Sequence, residues 1–281
     1  MKRIRTIAIV PTMFTLGNLV CGFFAIVVAA RVDSHSGFTL LDSQNVMLSG
    51  WLIFLAMVFD ALDGQVARLA RITSDFGAQL DSLCDMVTFG VAPGFLLVKM
   101  CPDFSLIHPR PENLNPLFPG VQTVWVVAAM FAICAALRLA RFNVETGEDD
   151  DHMYFSGLPS PAAAACVASF AIMFYWLRKE GTRIPYPEEV DYALQMILPF
   201  FGALVAVLMV SRIRYPHLIN YFVRGNRSFS HLVRLVFCLV AVVITAPYSV
   251  PIVCVFFALA SPIRYVWEEV VQREQHEVPL F

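Results

Sequence analysis

Residues 46–100 read VMLSGWLIFLAMVFDALDGQVARLARITSDFGAQLDSLCDMVTFGVAPGFLLVKM. Two apolar runs, Val46 to Phe59 and Met86 to Met100, flank a stretch that carries Asp60, Asp63, Arg68, Asp81 and Asp85. The runs have the apolar character of membrane-crossing helices. The residues between them are the kind such helices tolerate least. One aspartate at mid-helix costs about 2.5–3.5 kcal/mol by translocon insertion, so four would cost on the order of 10 kcal/mol. Something must offset that cost, and the spacing of the carboxylates indicates what.

Composition supports the membrane reading. Hydrophobic residues are 58% of the 281 and charged residues 15%, with a mean hydropathy of +0.67. Soluble domains run about 45–50% apolar and about 25% charged, so the fold class is an all-α, polytopic transmembrane helix bundle. A net charge of −2 offers nothing to nucleic acid, and none is expected as a partner. Seven cysteines without a C-x-x-C pair argue against a disulfide framework and a zinc site. Met1-Lys-Arg-Ile-Arg precedes an apolar run that continues to Ala30 without a small-residue cleavage site, and reads as a retained first helix.

At roughly 20 apolar residues per crossing, eight helices are expected, at roughly 7–30, 46–71, 78–100, 120–142, 159–178, 191–211, 231–247 and 249–268. With both termini cytoplasmic, 14 of the 20 basic residues fall on the inner side and 6 on the outer, as the positive-inside rule requires. The loop at 178–190 runs against that rule, with Arg178, Lys179 and Arg183 outside. The proline-rich segment 101–119 reads as an irregular outer connection, and the acidic run from Glu145 to Asp151 as solvated. No internal repeat is visible, so residues 1–281 are expected to form one membrane domain.

Asp60 and Asp63 stand three apart, and Asp81 and Asp85 four apart; either spacing puts a pair on one helix face. The pairs lie at the inner ends of helices 2 and 3, joined by a short loop with Thr73 and Ser74. Unpaired carboxylates at such closeness repel, whereas hard divalent cations neutralise them. Magnesium or manganese prefers oxygen ligands and keeps positions open for phosphate, and two ions clamp both oxygens of a phosphoryl displacement. Gly64 and Ala67 leave room for a bulky nucleotide, Arg68 offers a forked donor to phosphate, and Gly77 keeps the same face open. A cation- or proton-coupled transporter also carries intramembrane aspartates, though nearer mid-span and on broken helices. That class stays open as an alternative.

The pattern D-x2-D-G-x2-A-R-x8-G-x3-D-x3-D over Asp60–Asp85 resembles the CDP-alcohol phosphatidyltransferases at every fixed position. The resemblance implies transfer of a phosphatidyl group from a CDP-linked lipid to an alcohol, with release of CMP. It also implies that Asp60, Asp63 and Asp81 hold one ion and that Asp85 completes a second site. Asp85 becomes the expected base for the acceptor hydroxyl, and Asp60, Gly64, Ala67, Arg68 and Gly77 the expected contacts of the CDP moiety. Flanking stretches resemble the membrane-embedded branch that uses serine. They are Pro11 to Gly22, Val87 to Pro93, Arg138 to Asn143, Gly157-Leu-Pro-Ser-Pro161 and Ser211 to Pro216. CDP-diacylglycerol and L-serine are then the expected substrates, in a bacterial or archaeal-type plasma membrane, with the site near the cytoplasmic face and a homodimer as the assembly. Asn18, Arg138, Arg141, Asn143, Arg212 and Arg214 are candidates for the lipid phosphate or the serine. Physics alone does not select serine: an acceptor such as glycerol 3-phosphate or an inositol phosphate also calls for arginines there.

Overall fold

The computed structural model describes residues 9–32, 39–70, 75–101, 123–145, 154–179, 186–216 and 246–276. Within them, seven helices are long and apolar enough to cross a membrane, which makes the protein a multi-pass integral membrane helix bundle. The helix expected at 231–247 lies outside the described residues, apart from the first two residues of the last helix.

Helix α1 (Ile9–Ala30) shows how these helices are sided. Thr15, Asn18, Cys21, Ala25 and Ala29 recur at helical spacing and are buried, while Met13, Leu16, Val20, Phe23 and Phe24 face outward. The large apolar side chains point to lipid and the small ones to the protein. This is the pattern expected where helix contacts depend on close backbone approach rather than escape from water. Along α1 the buried face changes character, polar at Thr15 and Asn18, then apolar beyond.

Helix α2 (Leu40–Ala70) starts six residues before the expected 46. Thr39 and Asp42 form a capping box: the Asp42 carboxylate accepts from the Thr39 N–H (3.0 Å), and the Thr39 hydroxyl accepts from the Asp42 N–H (3.1 Å). Asp42 and Ser43 read as loop residues by polarity, yet both are buried, because the cap satisfies the free donors of the first turn.

The third crossing is one continuous rod of three parts: α3 (Asp75–Asp85), a π-helical turn (Met86–Val91) and α4 (Ala92–Met100). Pro93 has no N–H to give and sits in the first turn of α4. The preceding turn widens, and the Ala92 N–H bonds back to the Val87 carbonyl, five residues earlier. A π turn thus lies directly after Asp85, with Gly90 in it and Gly94 just beyond. Those glycines also make the close helix contact: a Cβ on Gly94 would meet the Ala128 carbonyl at 2.8 Å, and one on Gly90 the Ala135 Cβ at 3.1 Å.

Helices α5 (Thr123–Glu145), α6 (Ser160–Arg178), α7 (Pro187–Val210) and α8 (Ala246–His276) complete the bundle. The most extensive pairings are α1 on α2, then α2 on α6, and α6 buries eleven residues, mostly small. A three-residue antiparallel ladder joins β1 (Tyr154–Ser156) to β2 (Arg214–Pro216). Three-residue strands carry no periodicity, which hid this pairing from the sequence. Gly157, at φ +84°, turns the chain from β1 into α6 beneath the carbonyls of Met209 and Ser211, where no side chain would fit. At the opposite end, Arg178 holds Asp191 with two hydrogen bonds of 2.9 and 3.0 Å.

Candidate active site

The α2 and α3 carboxylates meet as the motif spacing predicts, but three of them form the cluster. Oxygen atoms of Asp60, Asp63 and Asp81 all lie within 4.8 Å of one another. Asp85, one turn further along α3, is not in that trio. It is 8% exposed, and one of its oxygens accepts from the Asn18 side-chain nitrogen at 2.9 Å.

The trio is short of donors. Asp63 lies beside the Thr15 side chain and the Gly64 backbone, yet among the described residues its Oδ2 is buried without a hydrogen-bond partner, as is Asp81 Oδ1. A buried oxygen left without a donor costs about 1–3 kcal/mol, more when charged. Three acidic groups at such closeness, two of them with an unpartnered oxygen, are a donor set suited to a hard divalent cation. The residues fit the metal that the motif implies.

Around the trio, a Cβ on Gly64 would have nothing within 4 Å, so that side of α2 is open, as the nucleotide reading needs. Gly77 lies in the first turns of α3. Ala67 and Arg68 belong to the last turn of α2, and their side chains lie outside the described residues.

The basic candidates divide. Arg138 gives one guanidinium N–H to the Ser160 hydroxyl (2.9 Å), while its Nε is buried and unpartnered; it stands within electrostatic reach of Asp85. Arg141 reaches the Val210 carbonyl at the end of α7 (3.3 Å), a helix-capping contact. Asn143 and Ser82 exchange hydrogen bonds of 3.0 and 3.2 Å, which ties the end of α5 to the turn carrying Asp81. Arg212 is exposed between α7 and β2; Arg214 is a residue of β2 whose side chain is outside the described residues. Sequence reasoning missed the supporting residues Thr15, Ser82 and Ser160. A signal existed for the first, since Thr15 and Asn18 are polar residues three apart on an otherwise apolar helix.

Fold and site together define a multi-pass membrane protein with an acidic centre, at the meeting of α1, α2 and α3, whose residues could hold a cation. The sequence profile of the CDP-alcohol phosphatidyltransferases matches residues 8–208. Among curated proteins, the chain is similar to the CDP-diacylglycerol–serine O-phosphatidyltransferase of Methanocaldococcus jannaschii, with 31% identity over 266 residues, 95% of this chain and 98% of that protein. It is 33% identical over 210 residues to the enzyme of that name from Helicobacter pylori, covering 74% and 71% of the two chains. It is also 31% identical over 217 residues to the archaetidylserine synthase of Methanothermobacter thermautotrophicus, covering 76% and 72%. The chain belongs to the CDP-alcohol phosphatidyltransferase family.

Proposed function

We propose that this protein transfers the phosphatidyl group of CDP-diacylglycerol to the hydroxyl of L-serine, giving phosphatidylserine and CMP. The observation that carries the reading is the convergence of Asp60, Asp63 and Asp81 within 4.8 Å, beside a separately held Asp85. The choice of serine rests on the relatives, each named for serine transfer or archaetidylserine synthesis.

In this reading Asp60, Asp63 and Asp81 hold magnesium or manganese, with Asp85 sharing a second ion. When bound, the cations neutralise the diphosphate oxygens and stabilise charge that builds as CMP leaves. The chain's own residues do the rest. Asp60, Gly64, Ala67, Arg68 and Gly77 receive the CDP moiety. Asp85 takes the proton from the serine hydroxyl. The oxygen forms a bond to the lipid-side phosphorus while the bond to the bridging oxygen breaks, and CMP departs with that electron pair. The buried, unpartnered Nε of Arg138 is placed to hold an anion of the acceptor or lipid, which its contact with Ser160 leaves free to do. Arg141, Asn143, Arg212 and Arg214 support that side. One membrane domain, 1–281, carries the activity as a homodimer in a bacterial or archaeal-type plasma membrane, with the site toward the cytoplasm.

The test is CMP release from CDP-diacylglycerol by purified protein with manganese or magnesium. The acceptors are serine, glycerol 3-phosphate, inositol phosphate and none. Release with serine, lost on chelation of the metal, is the expected result. Release with another acceptor would keep the chemistry and overturn the acceptor.

A further inference from the structure

We propose that Asn18 reads the ammonium group of the acceptor: its amide nitrogen orients Asp85, and its amide oxygen accepts a hydrogen bond from the substrate's –NH3+. This rests on the transfer reading above and adds what makes the site select a β-amino alcohol.

Asn18 is 0% exposed on a helix otherwise built from apolar and small residues. Its Nδ2 donates to Asp85 Oδ1 at 2.9 Å. As the base of the proposed reaction Asp85 is an ionised carboxylate, which only accepts, so in that state the amide nitrogen faces Asp85 and the oxygen faces away. That oxygen is buried and has no hydrogen-bond partner among the described residues, an arrangement costing about 1–3 kcal/mol. The amide has little freedom to turn elsewhere. The Thr88 hydroxyl donates to the Asn18 backbone carbonyl (3.2 Å), and Gly22, one turn on, lies against Thr88 so closely that a Cβ would collide with it. The neighbouring polar residue on that face, Thr15, is committed to Asp63.

That oxygen is therefore an acceptor on the same amide whose nitrogen holds the group proposed to receive the hydroxyl proton. In serine the hydroxyl and the ammonium sit on adjacent carbons, so an alcohol engaging Asp85 carries its N–H donors toward Asn18 Oδ1. An acceptor bearing phosphate in place of the amine brings no donor and leaves that oxygen unsatisfied, the kind of mismatch by which polar sites reject analogues.

The experiment compares L-serine with 3-hydroxypropionate, which is serine without its ammonium group, in the CMP-release assay with manganese. Wild-type protein is expected to prefer serine by about tenfold to a hundredfold in kcat/KM, the range of a hydrogen bond to a charged group. Asn18→Ala is expected to shrink that preference by the same factor while the KM for CDP-diacylglycerol holds. Asn18→Asp, which keeps an acceptor oxygen but not the donor to Asp85, is expected to retain the preference with a lower kcat. Wild-type protein that uses both alcohols equally well overturns the inference even if neither variant folds. Asn18→Ala with an unchanged preference and a lower kcat also overturns it, leaving Asn18 as a positioning residue for Asp85. Wild-type protein that releases CMP only with an unrelated acceptor brings down the serine reading itself, and the inference with it.

Discussion

At the scale of single residues, the four aspartates of the motif stand in two different settings. Asp60, Asp63 and Asp81 crowd together with lone pairs to spare, which suits ligation. Asp85 is buried and restrained through one oxygen by Asn18, which suits the roles proposed for it, as base and as a ligand shared with a second ion. Asp85→Asn is expected to lower transfer by at least the hundredfold to ten-thousandfold typical of a lost general base. The variant should still fold and bind CDP-diacylglycerol, measured by ligand-induced thermal stabilisation. Turnover at the wild-type rate would remove Asp85 from the proton path. Sequence spacing put each pair of aspartates on one helix face, and Asp60, Asp63 and Asp81 do converge. It could not divide them, because the division depends on a side chain 67 residues away in the chain.

At the scale of elements, precision comes from close backbone approach. The glycine at 22 lets α1 press onto Thr88 in the π turn, and that same contact lets Thr88 reach the Asn18 carbonyl. The π turn follows from Pro93, so a proline two turns beyond Asp85 shapes the wall of the acidic centre. Gly22→Ala is expected to destabilise the protein by about 1–3 kcal/mol through overpacking. Activity should fall with it, since α1 must retreat and carry Asn18 and Thr15 away; melting temperature and serine turnover on the same sample check this. Unchanged stability would mean that α1 and the π turn slide apart at no cost. The residue itself, a glycine in an apolar helix, was legible in the sequence. The start of α2 was not, because Asp42 and Ser43 are polar and only the capping contacts show why they are helical and buried.

At the scale of the whole molecule, α6 is the hub, its small side chains admitting α2, α7 and α8. The ladder between β1 and β2 ties the entry of α6 to the exit of α7, next to Ser160, which holds Arg138. Tyr215 extends this tie to α8 through its hydroxyl on the Ala258 carbonyl, at 3.0 Å. Acidic centre and ladder occupy one end of the bundle and the Arg178–Asp191 pair the other. We expect the acidic end to face the cytoplasm. Single cysteines introduced at Val144 and Tyr186 in a cysteine-free background should label oppositely in sealed cells, with only the second reached from outside. Cross-linking in the same cells should yield a species of twice 31.4 kDa for the proposed homodimer. Labelling of Val144 alone would invert the topology.

The sequence by itself determined the membrane class, the helical crossings and the acidic motif, because hydropathy and the spacing of aspartates are local properties of a helix. Only the tertiary structure decided which carboxylates converge, that Asn18 grips Asp85, that Arg138 rests on Ser160, and that residues 154–156 pair with 214–216. Those contacts join helices distant in sequence, and their geometry depends on how closely the backbones pack. No periodicity within one helix encodes that.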